Sequence, residues 1–417
     1  MGIVVALCDC HALMPARNTH RTQRSDLFGA RPRTIVAAGK GRAAFADQSD
    51  AGDANAHRER LVMSRKRIAL LGGGFILPAH AAGFRAAGEL CEVVAVAVSR
   101  PALRRQQIHE LFGPDVRVES DWREAVNATD VDAVDILLPH DLHAPATIAA
   151  AEAGKPVLVE KVMARNVAEC DRMIDACDRA GVTLTVLHDR RYEGQWAKFK
   201  QVIDSGILGE LFYWKLEHNQ NVVFPEDHWV RSADRLGGGA IMSCLTHQID
   251  MLRYCGGEVA RIGALGHARP DRMEGELVGV LAASMHSGAV ANLSINWFTR
   301  SHAAHDGLWY ELIHACGTKG EAYYMSNRGT FVLLHEPSDE QVAVGAVSGE
   351  GFVRQPCTDE SGHRRCIVEW VKSLHGLPAQ VVSDGRDARA TVEVAEAAYE
   401  SIRTGRFVQL PLAGKRA

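Results

Sequence analysis

No stretch of the 417-residue sequence approaches the ~20 consecutive apolar residues needed to cross a bilayer. Its charges nearly cancel, with 47 Lys and Arg against 51 Asp and Glu, a formal net charge of −4. The first absence removes a membrane-spanning helix, and the second disfavours nucleic acid or an anionic membrane as partner. Cysteines at metal or redox spacing are missing too: the ten present are scattered and none forms a CxxC pair. Reduced thiols in a cytoplasmic protein are the simplest reading, and Cys170 and Cys177, seven apart, read as small buried residues on one helix face. A targeting signature is also lacking, because "MGIVVALCDCHALMPAR" has no basic residue before its short apolar run.

What is present suits a soluble globular chain, 47% hydrophobic and 24% charged, long enough for two or three domains. Residues 1–62 are rich in Arg, Ala, Gly and Asp without an apolar period, so a disordered extension is expected, with Met63 as the natural start. From Arg67 strands and helices alternate: "RIALLG", "CEVVAVAVS", "VDAVDILLP", "KPVLVEK" and "VTLTVLH" read as buried strands separated by helical stretches. Such units imply a doubly wound, mostly parallel α/β sheet over residues 63–187. After His188 strand follows strand, among them "LFYWKLEHN", "ARIGALGHA", "LVGVLAASMH", "GAVANLSINWF", "YELIHACG" and "GTFVLLHE". Residues 188–417 are therefore expected to form an α+β domain with a large, mainly antiparallel sheet and a C-terminal helix.

Gly72, Gly73 and Gly74 follow the first strand and open the first helix, the context a dinucleotide site requires. Backbone N–H groups at Gly72, Gly74, Phe75 and Ile76 are candidates to meet phosphate, although Leu77 replaces the third glycine of GxGxxG. An acidic residue at the end of the second strand would hold the ribose of NAD. Here Ser99 and Arg100 stand there, with Arg104 and Arg105 one turn later, so NADP is expected over NAD.

A third region, "GGGAIMSCLTHQID", places Ser243, His247 and Asp250 at helical spacing, which predicts one shared face. In order, "GGGFILPAH", "LLPHDLHAPATIAAAEAGKPVLVEK", "RRYEGQWAKFKQVIDSGILGEL", "GGGAIMSCLTHQIDMLRYCGG" and "AAYESIRTGRFVQLP" resemble the Gfo/Idh/MocA oxidoreductases, the family of glucose-fructose oxidoreductase and inositol dehydrogenase. The resemblance covers nearly all of Arg67 to Leu412. It implies a Rossmann domain, an open-faced sheet domain, a nicotinamide cofactor in the cleft between them, and sugars, inositols or their derivatives as substrates.

Glu160-Lys161-Val162 matches the first two positions of the family's Glu-Lys-Pro, which makes Lys161 a catalytic candidate that polarises the reacting oxygen. The family's Asp-x-x-x-His aligns with Ser243 and His247, so His247 is the candidate acid/base, supported by Ser243 or Asp250. Serine cannot supply the family's negative charge. Valine removes the proline that permits a cis peptide, and at a cost of roughly 3 kcal/mol for cis before a non-proline residue a trans bond is expected. The resemblance also places Pro139, His140, His143, Glu160 and Lys161 near the cofactor, and Arg191, Tyr192, Trp229, Arg231 and His247 near the substrate. The HxxH of His140 and His143 has no evident third ligand, so no metal is expected.

The expected activity is thus an NADP-preferring oxidation of a secondary alcohol of a sugar, cyclitol or polyol, or the reverse, by a homo-oligomer. Two alternatives are a nucleotide-dependent regulatory or binding protein without catalysis, and an enzyme that uses transient oxidation for elimination or glycosidic cleavage.

Overall fold

The computed structural model describes residues 64–298, 309–326, 328–343 and 347–413. The expected disorder of residues 1–62 lies outside them.

Six strands make the first sheet: β1 (Lys66–Leu71), β2 (Cys91–Ala97), β3 (Arg117–Glu119), β4 (Ala133–Ile136), β5 (Val157–Glu160) and β6 (Leu184–Leu187). All run parallel in the order β3-β2-β1-β4-β5-β6. Every residue of β4, β5 and β6 is buried, as strands covered on both faces require, and Asp135, Glu160 and Thr185 are buried with their apolar neighbours. Strand order reverses between β1 and β4, which opens a crevice beyond their carboxyl ends.

Nine strands make the second sheet. They are β7 (Leu211–Gln220), β8 (Val259–Ala268), β9 (Glu276–Met285), β10 (Val290–Asn296), β11 (Trp309–Gly317), β12 (Gly320–Met325), β13 (Gly329–Leu334), β14 (Val353–Arg354) and β15 (Val408–Gln409). Their order is β14-β13-β12-β11-β7-β10-β9-β8-β15, antiparallel except for the parallel pair β7 and β10. In β7 the alternation buries Trp214, Leu216, His218 and Gln220 on one face. On the other side Val280 of β9 and Val290 of β10 remain 45% and 51% exposed, so this face is open.

The chain then returns to the first sheet. Helix Gly362–Leu374 lays Ile367 and Trp370 on helix Leu77–Ala87, with Trp370 edge-on to Phe84 at a 6.4 Å ring separation. Gly83 permits this approach, since a Cβ there would fall 2.6 Å from Ile367 Cδ1. Helix Gly385–Thr404, capped by Asp384, packs its Ala- and Val-rich side on β8 and on helix Val167–Ala180. Residues 362–404 therefore cross the division expected at 187/188.

Candidate active site

A cleft of about 780 Å³ lies at the carboxyl ends of the parallel strands. Its upper part is the glycine turn after β1. Gly72 has φ +119°, and a Cβ on it would fall 2.3 Å from the Leu137 carbonyl oxygen, so only glycine fits. Gly74, Phe75 and Ile76 continue along the cleft wall toward helix Leu77–Ala87. Ser99, Arg100 and Arg104 line the same cleft beyond β2, joined by Ser120 and Trp122. Among the described residues neither Arg100 nor Arg104 pairs with a carboxylate; Arg104 donates to Gln107 at 2.9 Å.

Pro139, at the N-cap, and His140 and His143, on the first turn of helix His140–Glu152, also line the cleft. His143 faces the carbonyls of Val162 and Leu138 at 2.9 and 2.7 Å, and His140 Nδ1 faces that of Leu236 at 2.9 Å. Those contacts hold the turn in place and leave the HxxH pair unsuited to a shared ion.

Beyond β5 the peptide bond between Lys161 and Val162 is cis, which corrects the expectation of trans. Tertiary contacts on both sides outweigh the local preference: the Val162 side chain is buried and its carbonyl meets His143, while Lys161 Nζ donates to the Ser243 carbonyl at 2.8 Å. The ammonium thus stands beside the segment that carries His247.

That segment starts at the three glycines. A Cβ on Gly238 (φ +140°) would fall 2.2 Å from the Tyr399 hydroxyl, which accepts from Gly239 and Met242 N–H at 2.9 and 3.2 Å and donates to Glu276 at 2.9 Å. A wide π-type turn, Ile241–Leu245, follows and leads into helix Thr246–Gly256. Ser243 and His247 both face the cleft, but Asp250 does not. Asp250 instead takes Arg191 at 2.9 and 2.6 Å and His188 at 2.8 Å, so it does not brace His247.

The carboxylate nearest His247 comes from elsewhere. Asp189, just past β6, places Oδ1 3.5 Å from His247 Nδ1. With the Nδ1 proton directed at Asp189, Nε2 carries the lone pair, and that atom is buried without a hydrogen-bond partner. Burial, followed by the charges of Lys161 and Arg190, holds the imidazole well below its ordinary pKa. At neutral pH it is an unprotonated base.

Behind Asp189 runs a buried series of alternating acids and imidazoles. His363 faces Asp189 at 3.6 Å and Glu160 at 3.5 Å, and His80 bridges Glu160 at 2.8 Å and Asp135 at 2.6 Å. Burial alone would lower the pKa of His80, yet Asp135 and Glu160 raise it to about 10. Glu160 is held low despite burial by His363 and His80.

Of the residues expected near substrate, Trp229 lines the cleft, its ring 4.9 Å from that of His140. Arg191, Tyr192 and Arg231 do not. Arg191 is consumed by Asp250, Asp387 and the Val382 carbonyl, the Tyr192 hydroxyl accepts from Val382 N–H at 3.0 Å, and Arg231 donates to the Asp271 carbonyl at 3.1 Å. Sequence reasoning missed Asp189, His363, Asp227, His228 and Arg235, all on the cleft wall. Asp189 alone had a usable signal, its place at the end of a parallel strand.

Residues 66–188 match the family model described as "Oxidoreductase family, NAD-binding Rossmann fold", and residues 196–323 match "GFO/IDH/MocA C-terminal domain". Levoglucosan dehydrogenase of Pseudarthrobacter phenanthrenivorans is 31% identical over 213 residues, 49% of this chain and 54% of that protein. Myo-inositol 2-dehydrogenase of Thermotoga maritima is 26% identical over 82% of this chain and 98% of its own length. The fold is shared with a solved structure of levoglucosan dehydrogenase in complex with NADH and levoglucosan (TM-score 0.72, 23% identity, 83% of this chain and 100% of that one). Among the described residues no helix is long and apolar enough to cross a membrane.

Proposed function

We propose, from the premise that the chain belongs to the Gfo/Idh/MocA oxidoreductase family, that it interconverts a secondary alcohol and ketone of a sugar, cyclitol or related polyol with NADP as preferred cofactor. The observation that carries this reading is the meeting of the Lys161 ammonium and the unpartnered Nε2 of His247 on one cleft wall.

The residues present fit a dinucleotide. Gly74 is open, with nothing within 4 Å of an added Cβ, so phosphate can reach the backbone at the start of the helix. Pro139, His140 and Glu160 bound the other end. A nicotinamide held there supplies a hydride acceptor or donor.

This chain's own groups do the rest. Lys161 holds the substrate oxygen and stabilises the charge that develops on it. His247 Nε2 takes the hydroxyl proton in oxidation and returns it in reduction, while Asp189 keeps the Nδ1 proton in place and stabilises the imidazolium that forms. Trp229 offers an aromatic wall to a sugar face. The open face of the second sheet suits association between copies of this chain.

Purified protein screened with NADP and NAD against polyols and ketoses, following absorbance of the reduced cofactor, is expected to show turnover. Silence across the panel despite cofactor binding would favour a regulatory binding protein, the reading that Ser243 in place of a carboxylate supports. Cofactor choice rests on Ser99, Arg100 and Arg104. Ser99→Asp is expected to move the NADP to NAD affinity ratio about tenfold or more toward NAD, since a charge-assisted hydrogen bond is worth roughly 1.5–3 kcal/mol. Equal affinity of the parent chain for both cofactors would refute the preference.

A further inference from the structure

We propose that His314, Cys316 and Glu321 form a zinc-class metal site on the second sheet, outside the catalytic cleft, with His335 beside it. His314 and Cys316 are two apart on β11 and share a face, and Glu321 stands directly opposite Cys316 on β12. His314 Nε2 lies 2.9 Å from Glu321 Oε2 and 3.6 Å from Cys316 Sγ. His335, just past β13 and tied to the β11–β12 turn by its N–H to the Lys319 carbonyl, brings Nε2 to 3.8 Å from the other Glu321 oxygen. Tyr323 meets the His314 ring edge-on, at a 6.2 Å ring separation, and fixes its orientation. The His314 and Glu321 side chains are 24% and 30% exposed, so an ion has a path in.

The thiol and the carboxylate both approach the same nitrogen, Nε2, and the thiol also bonds to Glu321, so all three groups converge on one point. A nucleophilic triad is excluded for the same reason, because there the acid orients the base through its other ring nitrogen. A divalent ion satisfies all three groups at once, taking the imidazole lone pair, a carboxylate oxygen and the thiolate while the thiol proton leaves to solvent. Bonds of about 2.3 Å to sulfur and about 2.0 Å to nitrogen at a tetrahedral angle set S and N about 3.5 Å apart. The observed separation is 3.6 Å.

The buried set His80, Glu160 and His363 is the competing candidate, but it offers no thiolate. Each of its ring nitrogens faces a carboxylate oxygen, so protons alone satisfy it. In the proposed site three protein donors leave the fourth position of a tetrahedral ion to water, and the ion joins β11 to β12.

The test uses the full chain, stripped with a chelator and titrated with Co²⁺ and then Zn²⁺. One equivalent of Co²⁺ is expected, with thiolate-to-cobalt charge-transfer absorption that Zn²⁺ abolishes by displacement. Zn²⁺ should also raise the melting temperature. Cys316→Ser should lose the charge-transfer band and the thermal shift, and Glu321→Gln should weaken binding by about 10–100-fold or more. Oxidoreductase turnover in the cleft should be unchanged in both variants. Binding without a thiolate band, parent affinity in Glu321→Gln, or loss of binding in His363→Ala would each overturn the site.

Discussion

Replacing His247 by Asn lowers kcat by about 10²–10⁴-fold, the range that a positioned general acid/base contributes, and leaves cofactor affinity near that of the parent. Asparagine keeps a polar group of similar size in the buried site but has no lone pair of comparable basicity where Nε2 stands. Asp189→Asn should lower kcat as well, more than KM, because the amide no longer holds the Nδ1 proton or balances the imidazolium. The pH dependence follows from the lowered pKa of His247. Its base form is complete at and above neutral pH, so the oxidation rate should stay flat as pH falls to about 6.5 and decline only below it. Measured kcat against pH for the parent and both variants checks this. A His247→Asn enzyme within a few-fold of parent turnover would remove the residue from catalysis.

The parts of this site that were legible in the sequence are those that local rules determine. Parallel strands buried on both faces are mainly apolar runs, so β1, β4, β5 and β6 were visible with their order along the chain. The turn at Gly72 was visible because a close approach to the Leu137 carbonyl admits no side chain. Lys161 and His247 were visible through motif order. Asp189 and His363 were not, because their proximity to His247 depends on how the chain after β6 and the helix Gly362–Leu374 return to the cleft. Ser243 looked like a lost carboxylate, and the structure places one beside the same imidazole from a different element. Arg191 illustrates the opposite error. An arginine near a domain junction suits a substrate as well as an internal acid, and periodicity in an irregular segment does not say which way the side chain points.

That arginine carries a large expected stability effect. Its guanidinium is buried among Asp250 at 2.9 and 2.6 Å, Asp387 at 2.6 Å and the Val382 carbonyl at 2.6 Å, above the Tyr254 ring at 4.6 Å. It therefore ties the loop after β6 to helix Thr246–Gly256 and to the start of helix Gly385–Thr404. Arg191→Met should cost about 3–5 kcal/mol, because it leaves a buried carboxylate short of its bidentate partner. Asp250 resists protonation despite burial because His188 and Arg191 hold its pKa low. A depressed carboxylate contributes stability above its unfolded pKa and loses it as pH falls through the native value. In Arg191→Met that native value rises, so less stability remains to be lost on acidification and the pH dependence flattens. Arg191→Met with Asp250→Asn should recover part of the loss, since the second change removes the stranded charge. Denaturant unfolding of both single variants and the double variant measures this coupling; strict additivity would mean that Arg191 acts through packing rather than through Asp250.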